Sequence, residues 1–249
     1  MNDLSLAMTF VLVLLAIYLS YKDKIGLEKE IMIGSIRAVV QLTVIGFVLT
    51  YVFDLNNFVI TTLILILMVY NAATVSAKRG KDIAHIKSMS FFALLAGLIV
   101  TLGTLLLFGA IQYQPSQVIP VSGMVIGNSM IAAGLVFNSL QENFQRRREE
   151  LEIKLCLGAS AKEASASILR QTIKNAMQPS IDSMKTLGIV QLPGMMTGLI
   201  LAGLPPTDAI KYQIMVAFML VGAVSITAFM ASYWAYKSFF TDLEQLRQA

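Results

Sequence analysis

The sequence contains few charged residues: Asp, Glu, Lys and Arg make up 14% of its 249 residues, against roughly 25% in an ordinary soluble domain. It has one cysteine and one histidine, which excludes a disulfide framework and a zinc site built from Cys and His ligands. What it has instead is a 56% hydrophobic composition and a mean hydropathy of +0.71. These values are typical of a membrane protein rather than of a water-soluble domain.

Uncharged apolar runs long enough to cross a bilayer occur along the whole chain. A helix of about 20 apolar residues, rising about 1.5 Å per residue, crosses a hydrocarbon core of about 30 Å. The uncharged run over residues 88–141 is too long for one crossing, and residues 112–115 with Pro120 predict a turn in its middle. The sequence therefore predicts an all-α, polytopic membrane protein with a single transmembrane domain of about seven helices. The predicted spans are residues 4–21, 36–53, 57–77, 89–111, 117–140, 187–204 and 211–236, with a helical cytoplasmic coupling segment at 141–185.

The basic residues predict the orientation of the spans. Seventeen of the nineteen Lys and Arg residues fall between spans one and two, three and four, and five and six, or after span seven. Arg37, at the inner end of span two, lies on the same side, and Lys211 is the exception. Because basic loops stay on the cytoplasmic side, we expect the N-terminus outside and the C-terminus in the cytoplasm, in the cytoplasmic (inner) membrane. No basic n-region or cleavage site precedes Lys22, so span one is predicted to be retained rather than cleaved as a signal peptide.

The cytoplasmic segment is too short for a catalytic domain. A segment below about 60 residues is marginal even for its own core, and the chain contains no G-x-x-x-x-G-K-[ST] phosphate-binding loop. We therefore expect no catalytic residues and no cofactor bound by this chain, with ATP and Mg²⁺ held by a partner P-loop ATPase.

The sequence of the same segment predicts two helices. The first is predicted to continue span five through Leu157, and Gly158 is suited to the left-handed conformation that ends a helix. The second is predicted to begin at Ser160, with Glu163 completing a capping box, and to end at Pro179. Two interpretations are open. The segment is either an amphipathic helix that lies on the membrane surface, or a helix held rigidly so that a soluble motor protein can displace it.

Two sequence motifs carry a family resemblance. The spacing Glu152-x5-Gly158 resembles the E-A-A-x-x-x-G loop of ABC permeases, whose helix docks on the ATPase. The run G-I-V-Q-L-P-G-M-M-T-G over residues 188–198, with Arg37-x3-Gln41-Leu42 and Gly127-Asn128-Ser129-Met130, is similar to the FetB family of iron-export ABC permeases, which also includes plant aluminium-tolerance half-transporters. The similarity extends over essentially the whole chain.

The resemblance implies a permease subunit that acts as a homodimer in the lipid bilayer. Two copies would enclose a pathway, and separate ATPases would drive export of a metal, iron, through the coupling segment. The ATPase-coupling candidates are Glu152, Leu155, Leu157, Gly158, Ala159, Ser160 and Glu163.

Polar residues at membrane depth are the candidates for the pathway, because they are costly there and tend to be functional. Span six is also dense in glycine and contains a proline, as interrupted helices in transporters do. The pathway candidates are Gln41, Asn71, Asn128, Ser129, Gln191, Pro193, Gly194, Met195, Met196 and Gly198. Each has a structural alternative: helix contact through amides, close packing through glycines, or apolar packing of methionines. The metal ligands stay unknown.

Two other functions are open. An ion-coupled secondary transporter or channel without an ATPase would be expected to carry a carboxylate in mid-span, and the predicted spans have none. An intramembrane enzyme would need a paired acid, a Ser/Lys dyad or a metal cluster within the spans. Eighteen of the nineteen basic residues follow the predicted topology, so we expect no nucleic-acid partner.

Overall fold

The computed structural model describes residues 3–80, 83, 85–190, 194–241 and 243–247, with side chains from Met8 onward. The chain divides into two compact units, residues 1–57 and 58–249. Within the described residues all the regular elements are helices, and Phe240 and Leu246 form an isolated antiparallel bridge. The predicted all-α fold is therefore confirmed.

The first unit is a pair of helices, α1 (Asp3–Lys22) and α2 (Glu28–Leu55). Ser20 fixes the turn between them: its Oγ donates to Glu28 Oε1 at 2.8 Å and accepts from the Leu27 amide at 3.1 Å. Apolar side chains of α2 are largely exposed, and Phe47 retains 77% of its surface. Such exposure is expected of a helix that faces lipid or another membrane protein.

The second unit contains the remaining helices. They are α3 (Phe58–Ala77), α4 (Ile86–Leu107), α5 (Pro115–Arg146), α6 (Arg148–Cys156), α7 (Ala161–Thr186), α8 (Gly194–Leu201), α9 (Pro206–Ala235) and a 3₁₀ helix (Tyr236–Phe239). Helices α5 and α9 lie at the centre and pack against each other, α4 and α7. One apolar cluster, around Phe137, Phe144 and Ile168, joins α5, α6 and α7; a second, around Leu94 and Val125, joins α3, α4, α5 and α9.

Helices α4 and α9 approach closely at Gly97. A Cβ at this position would lie 2.6 Å from Thr227 Oγ1 and 3.2 Å from the Ala223 carbonyl oxygen. Thr227 Oγ1 also donates to the Ala93 carbonyl at 3.4 Å. Small residues that allow this approach are typical of helix pairs in membranes, where dispersion contacts drive association.

Five helices in the described part of the chain are long and apolar enough to cross a membrane: α2, α3, α4, α5 and the continuous stretch Pro206–Phe239. Residues Met8–Lys22 of α1 form a shorter apolar helix. These helices overlap six of the predicted spans and agree with a polytopic membrane protein.

The sixth predicted span, residues 187–204, is not one long helix. Its described part contains only α8, whose eight residues reach about 12 Å, less than half of a hydrocarbon core. Gly188 and Gly203 on either side have φ angles of +79° and +96°, which glycine adopts without a steric penalty. The glycine-rich stretch therefore coincides with an interruption of the helix.

Three local predictions were wrong. Pro179 does not end its helix, since α7 continues to Thr186, and Pro120 lies inside α5 rather than in a turn. Each proline removes one backbone hydrogen bond, which helices packed on both sides by neighbours tolerate. The helix of span five also does not continue unbroken to Leu157: α5 ends at Arg146 and α6 begins at Arg148, because Arg147 between them has φ −109° and ψ 27°.

Candidate functional site

The segment between α5 and α7 is ordered by ion pairs. Arg147 Nε donates to Glu150 Oε2 at 2.7 Å, and Lys154 Nζ lies 2.6 Å from Glu150 Oε1. The hydrogen bond from Arg147, with that from Lys154, lowers the pKa of Glu150 to about 2. Arg148 pairs with Glu152 at 2.8 Å. These i, i+3 and i, i+4 contacts hold α6 as a short, charged helix.

The turn from α6 to α7 has the geometry that the sequence predicts. Gly158 has a φ of +90°, and Ser160 and Glu163 form the reciprocal capping box. The Ser160 amide donates to Glu163 Oε2 at 2.9 Å, and the Glu163 amide donates to Ser160 Oγ at 3.4 Å. The hydrogen bond from the Ser160 hydroxyl lowers the pKa of Glu163. The first turn of α7 thus has partners for amides that would otherwise be unpaired.

This turn is anchored on one side and exposed on the other. Leu151 in α6 is 1% exposed, and Ala164, Ile168 and Thr172 of α7 are buried to a similar degree. In contrast, Ile153 and Leu157 are 61% and 82% exposed. We call residues 152–160 with Glu163 the coupling surface: Glu152, Leu157, Gly158 and Glu163 are exposed, and Leu155, Ala159 and Ser160 are half-buried.

The C-terminal tail packs against the coupling surface, which the sequence did not predict. Glu244 Oε2 accepts a hydrogen bond from the Ala161 amide at 2.9 Å, and Arg148 Nη1 donates to the Arg247 carbonyl at 3.2 Å. Phe239 stacks on Phe144 of α5 with ring centroids 4.2 Å apart. The tail and the coupling surface line an open groove with a volume of about 670 Å³. Only the adjacent aromatic residues Phe239 and Phe240 mark the tail as a packing element in the sequence.

A second feature is a cavity of about 240 Å³ among α5, α7, α8 and α9. It brings together three of the predicted pathway residues, Asn128, Gly194 and Met195. Its lining consists of Met124, Asn128, Ser180, Ser183, Met184, Leu187, Gly194, Met195, Gln213, Val216, Ala217, Leu220 and Val221. Because Ser180, Ser183 and Met184 follow Pro179, this cavity depends on the continuation of α7 past that proline.

Other predicted pathway residues lie elsewhere. Asn71 is exposed on α3, where its Nδ2 donates to the Leu67 carbonyl at 3.0 Å. Ser129 is fully buried and faces Gly97 of α4. Met196 and Gly198 lie on α8 but do not line the cavity. Gln41 is exposed in the first unit, and Gln191 and Pro193 fall outside the described residues.

Gln213 is the most informative cavity residue that the sequence reasoning missed. It is 9% exposed, and its Oε1 has no hydrogen-bond partner among the described residues. A buried acceptor left unpaired costs about 1–3 kcal/mol. The signal that could have identified Gln213 is its isolation as an amide within the apolar sequence of α9.

The donor set of the cavity is neutral. Its lining residues offer amide, hydroxyl and thioether groups and no charged side chain. Among the described residues no group of three or more His, Cys, Asp or Glu side chains is placed to hold a metal ion. The cavity can therefore bind a ligand through hydrogen bonds and soft contacts, whereas hard metal cations prefer anionic oxygen ligands.

Long apolar helices, an interrupted segment beside a cavity and an exposed, capped helix turn define a polytopic helical membrane protein. The chain belongs to the family described as "Uncharacterised protein family (UPF0014)", whose model matches residues 3–240.

Three relatives illustrate the range of the family. The chain is 44% identical to "Probable iron export permease protein FetB" of Escherichia coli (strain K12), over 97% of this chain and 93% of that protein. It is 42% identical to "UPF0014 membrane protein YjkA" of Bacillus subtilis (strain 168), over 100% and 99%. It is 34% identical to "Protein ALUMINUM SENSITIVE 3" of Arabidopsis thaliana, over 97% and 88%. These matches confirm the resemblance inferred from the motifs. No solved structure matches this chain.

Proposed function

We propose that this chain is the permease subunit of an ATP-driven ABC transporter that exports iron across the cytoplasmic membrane. ATP and Mg²⁺ bind to a separate P-loop ATPase subunit, which docks on the coupling surface. The observation that carries this proposal is the capped turn at Gly158–Ser160, which is fixed to the core by Leu151 and presents Ile153 and Leu157 outward. The similarity to the Escherichia coli relative named as an iron export permease supports the cargo and the direction.

Helix α7 supplies the mechanical connection between partner and pathway. Its first residues lie at the coupling surface, and Ser180, Ser183 and Met184 near its other end line the cavity. The helix has 26 residues and is about 39 Å long. Its buried face packs against α5 and α9, so a displacement of the turn moves α7 as a rigid body. ATP binding by the partner then favours one access state over the other.

The transporter contains two copies of this chain, with the N-terminus outside and the C-terminus in the cytoplasm. If each subunit supplies half of a pathway, pairing two copies about a two-fold axis is the simplest way to complete it. Exposed apolar side chains such as Leu42 and Phe47 of α2, 70% and 77% exposed, are compatible with lipid and with such an interface. The alternation of basic segments along the sequence supports the orientation.

The test compares a double variant on the coupling surface with a matched control. Ile153→Ala and Leu157→Ala together remove exposed apolar contact area, and Leu107→Ala removes the same chemistry from a side chain that is 87% exposed on α4. Native membranes yield the wild-type chain with its bound P-loop ATPase, and inverted vesicles report ATP-dependent uptake of radioactive iron. We expect the double variant to retain less ATPase and to transport at least about tenfold more slowly, and Leu107→Ala to behave as wild type.

A transport measurement without the ATPase could contradict the proposal. If vesicles containing this chain alone move iron at full rate under an ion gradient, without ATP, the protein is an ion-coupled carrier or channel and the proposal is wrong.

A further inference from the structure

An open groove of about 300 Å³ lies between α3 and α4, near the segment that connects them. Tyr70 of α3 and Phe91 and Phe92 of α4 form an apolar wall, and Lys87 and Ser88 in the first turn of α4 form a polar end. Tyr70 is 59% exposed and Phe92 55%. The groove therefore combines a cationic end with an exposed apolar wall, which is the surface that an amphipathic ligand needs.

The two helices that line the groove are held together by packed groups. The hydroxyl groups of Ser76 in α3 and Ser90 in α4 share a hydrogen bond of 2.5 Å, and both residues are buried. In the connecting segment, Ile83 is 4% exposed and belongs to the apolar cluster around Phe137. A Cβ at Gly80 would lie 2.9 Å from Phe137 Cβ. The groove is therefore formed by the fold itself and does not depend on a ligand.

The charge at this end of the two helices is strongly positive. The stretch over residues 78–87 contains four basic residues and one acidic residue. Lys78, Arg79 and Lys87 are exposed, and the ion pairs among the described residues include none of them. The N-terminus of α4 adds a partial positive charge next to Lys87. The polar end of the groove therefore favours an anionic group.

We propose that this groove binds an anionic phospholipid. The Lys87 ammonium group pairs with the lipid phosphate, the Ser88 hydroxyl donates to a phosphate oxygen, and an acyl chain lies along Tyr70 and Phe92. Basic pockets between transmembrane helices are typical sites for anionic lipid headgroups. The lipid belongs to the leaflet next to residues 78–87, which is the cytoplasmic leaflet in the proposed orientation. This inference goes beyond the proposed function, because it requires neither the cargo nor the ATPase.

The test is lipid binding to the purified full chain in detergent micelles, measured by native mass spectrometry. The probes are phosphatidylglycerol, which is anionic, and phosphatidylcholine, which is zwitterionic, with identical acyl chains. Lys87→Gln removes the charge at the polar end, Lys87→Arg keeps it, and Phe92→Ala shortens the apolar wall. The matched control is Lys174→Gln on α7, because Lys174 is also exposed and has no ion pair among the described residues but does not line the groove.

We expect the wild type to bind one phosphatidylglycerol at least about fivefold more tightly than phosphatidylcholine, the factor that one basic residue contributes at a membrane surface. Lys87→Gln is expected to lose this preference, whereas Lys87→Arg and Lys174→Gln keep it. Phe92→Ala is expected to weaken both lipids by a similar factor, because it removes contact with the acyl chain and not with the headgroup.

Equal affinity of the wild type for the two lipids, or an unchanged preference in Lys87→Gln, would overturn the inference. Loss of dimers instead of bound lipid in Phe92→Ala would also overturn it, because the groove would then be an interface between two copies of the chain. The proposed function fails by a separate measurement, the absence of ATP-dependent iron flux in vesicles that contain the chain and its ATPase. The two failures are therefore distinguishable.

Discussion

At the scale of single residues, Ser160 is the local determinant of the coupling surface. It pairs both its amide and its hydroxyl with Glu163 at the start of α7. The capping box was predictable from the sequence because it is a local motif: Ser at the N-cap and Glu three residues later satisfy each other wherever a helix begins.

Replacing Ser160 by Ala removes the N-cap acceptor of the Glu163 amide. We expect Ser160→Ala to lower the free energy of unfolding by about 1 kcal/mol and to increase hydrogen exchange in the first turn of α7. Ser160→Thr, which keeps a hydroxyl acceptor, is the control. The measurements are unfolding in mixed micelles and amide exchange followed by mass spectrometry; equal exchange in Ala and Thr variants would contradict a capping role.

Glu150 predicts a specific response to acid. Its folded pKa is about 2, below its ordinary value of 4.5, so its ion pairs stabilise α6 fully above about pH 4.5. This contribution is lost as the pH falls toward 2, where the folded carboxylate becomes protonated. We expect the difference in unfolding free energy between wild type and Glu150→Gln to be constant above pH 4.5 and to shrink below it.

The control for this pH dependence is Glu149→Gln, because the described residues include no ion pair for Glu149. Its difference from wild type is expected to change little over the same range. If the Glu150→Gln difference did not change between pH 4.5 and 2, the ion pairs with Arg147 and Lys154 would not contribute to stability.

At the scale of elements, the approach of α4 to α9 depends on the absence of a side chain at Gly97. A Cβ there would lie 2.6 Å from Thr227 Oγ1, whereas a Cβ at Gly103, on the same helix, would have nothing within 4 Å. The sequence shows both glycines in one apolar span and does not distinguish them.

The two glycines are therefore expected to respond in opposite directions. Gly97→Ala forces Thr227 or the helix backbone to move and is expected to destabilise the protein by about 1–3 kcal/mol. Gly103→Ala improves helix propensity and is expected to be neutral or stabilising by up to about 1 kcal/mol. Thermal unfolding of both variants in detergent provides the comparison; equal melting temperatures would show that α4 and α9 do not meet at Gly97.

Helix α7 shows how tertiary packing overrides a local stop signal. Pro179 predicts a helix end, yet α7 continues to Thr186, because α5 and α9 pack along it. The cavity residues Ser180, Ser183 and Met184 lie beyond the proline. Helix α7 thus reaches from the coupling surface to the cavity. The hydrophobic periodicity of the sequence does not reveal this connection.

At the scale of the whole molecule, the proposed orientation can be tested with the native cysteine. Cys156 is the one cysteine in the sequence, and it is exposed within the coupling surface. We expect a membrane-impermeant maleimide to label Cys156 in inverted vesicles and not in intact cells. A Lys211→Cys, Cys156→Ser variant is the matched control, because Lys211 is exposed near the start of α9 and is predicted to lie outside.

The reverse labelling pattern, with Cys156 reacting in intact cells, would contradict the proposed topology and separate the coupling surface from any cytoplasmic ATPase. The cysteine-free background produced by Cys156→Ser also allows single cysteines on α2 to report whether two copies meet.

By itself, the sequence determined the membrane class, most of the long helices and the capped turn, because each depends on composition or on residues within about four positions of one another. Apolar length predicts a span, basic residues indicate its orientation, and Ser160, Glu163 and Gly158 specify a helix junction locally. Only the tertiary structure decided that α7 passes Pro179, that the C-terminal tail reaches back to Ala161, and that Gln213 shares a cavity with Asn128 and Met195. These features join residues distant in sequence through packing between helices, and no local pattern encodes which buried groups come together.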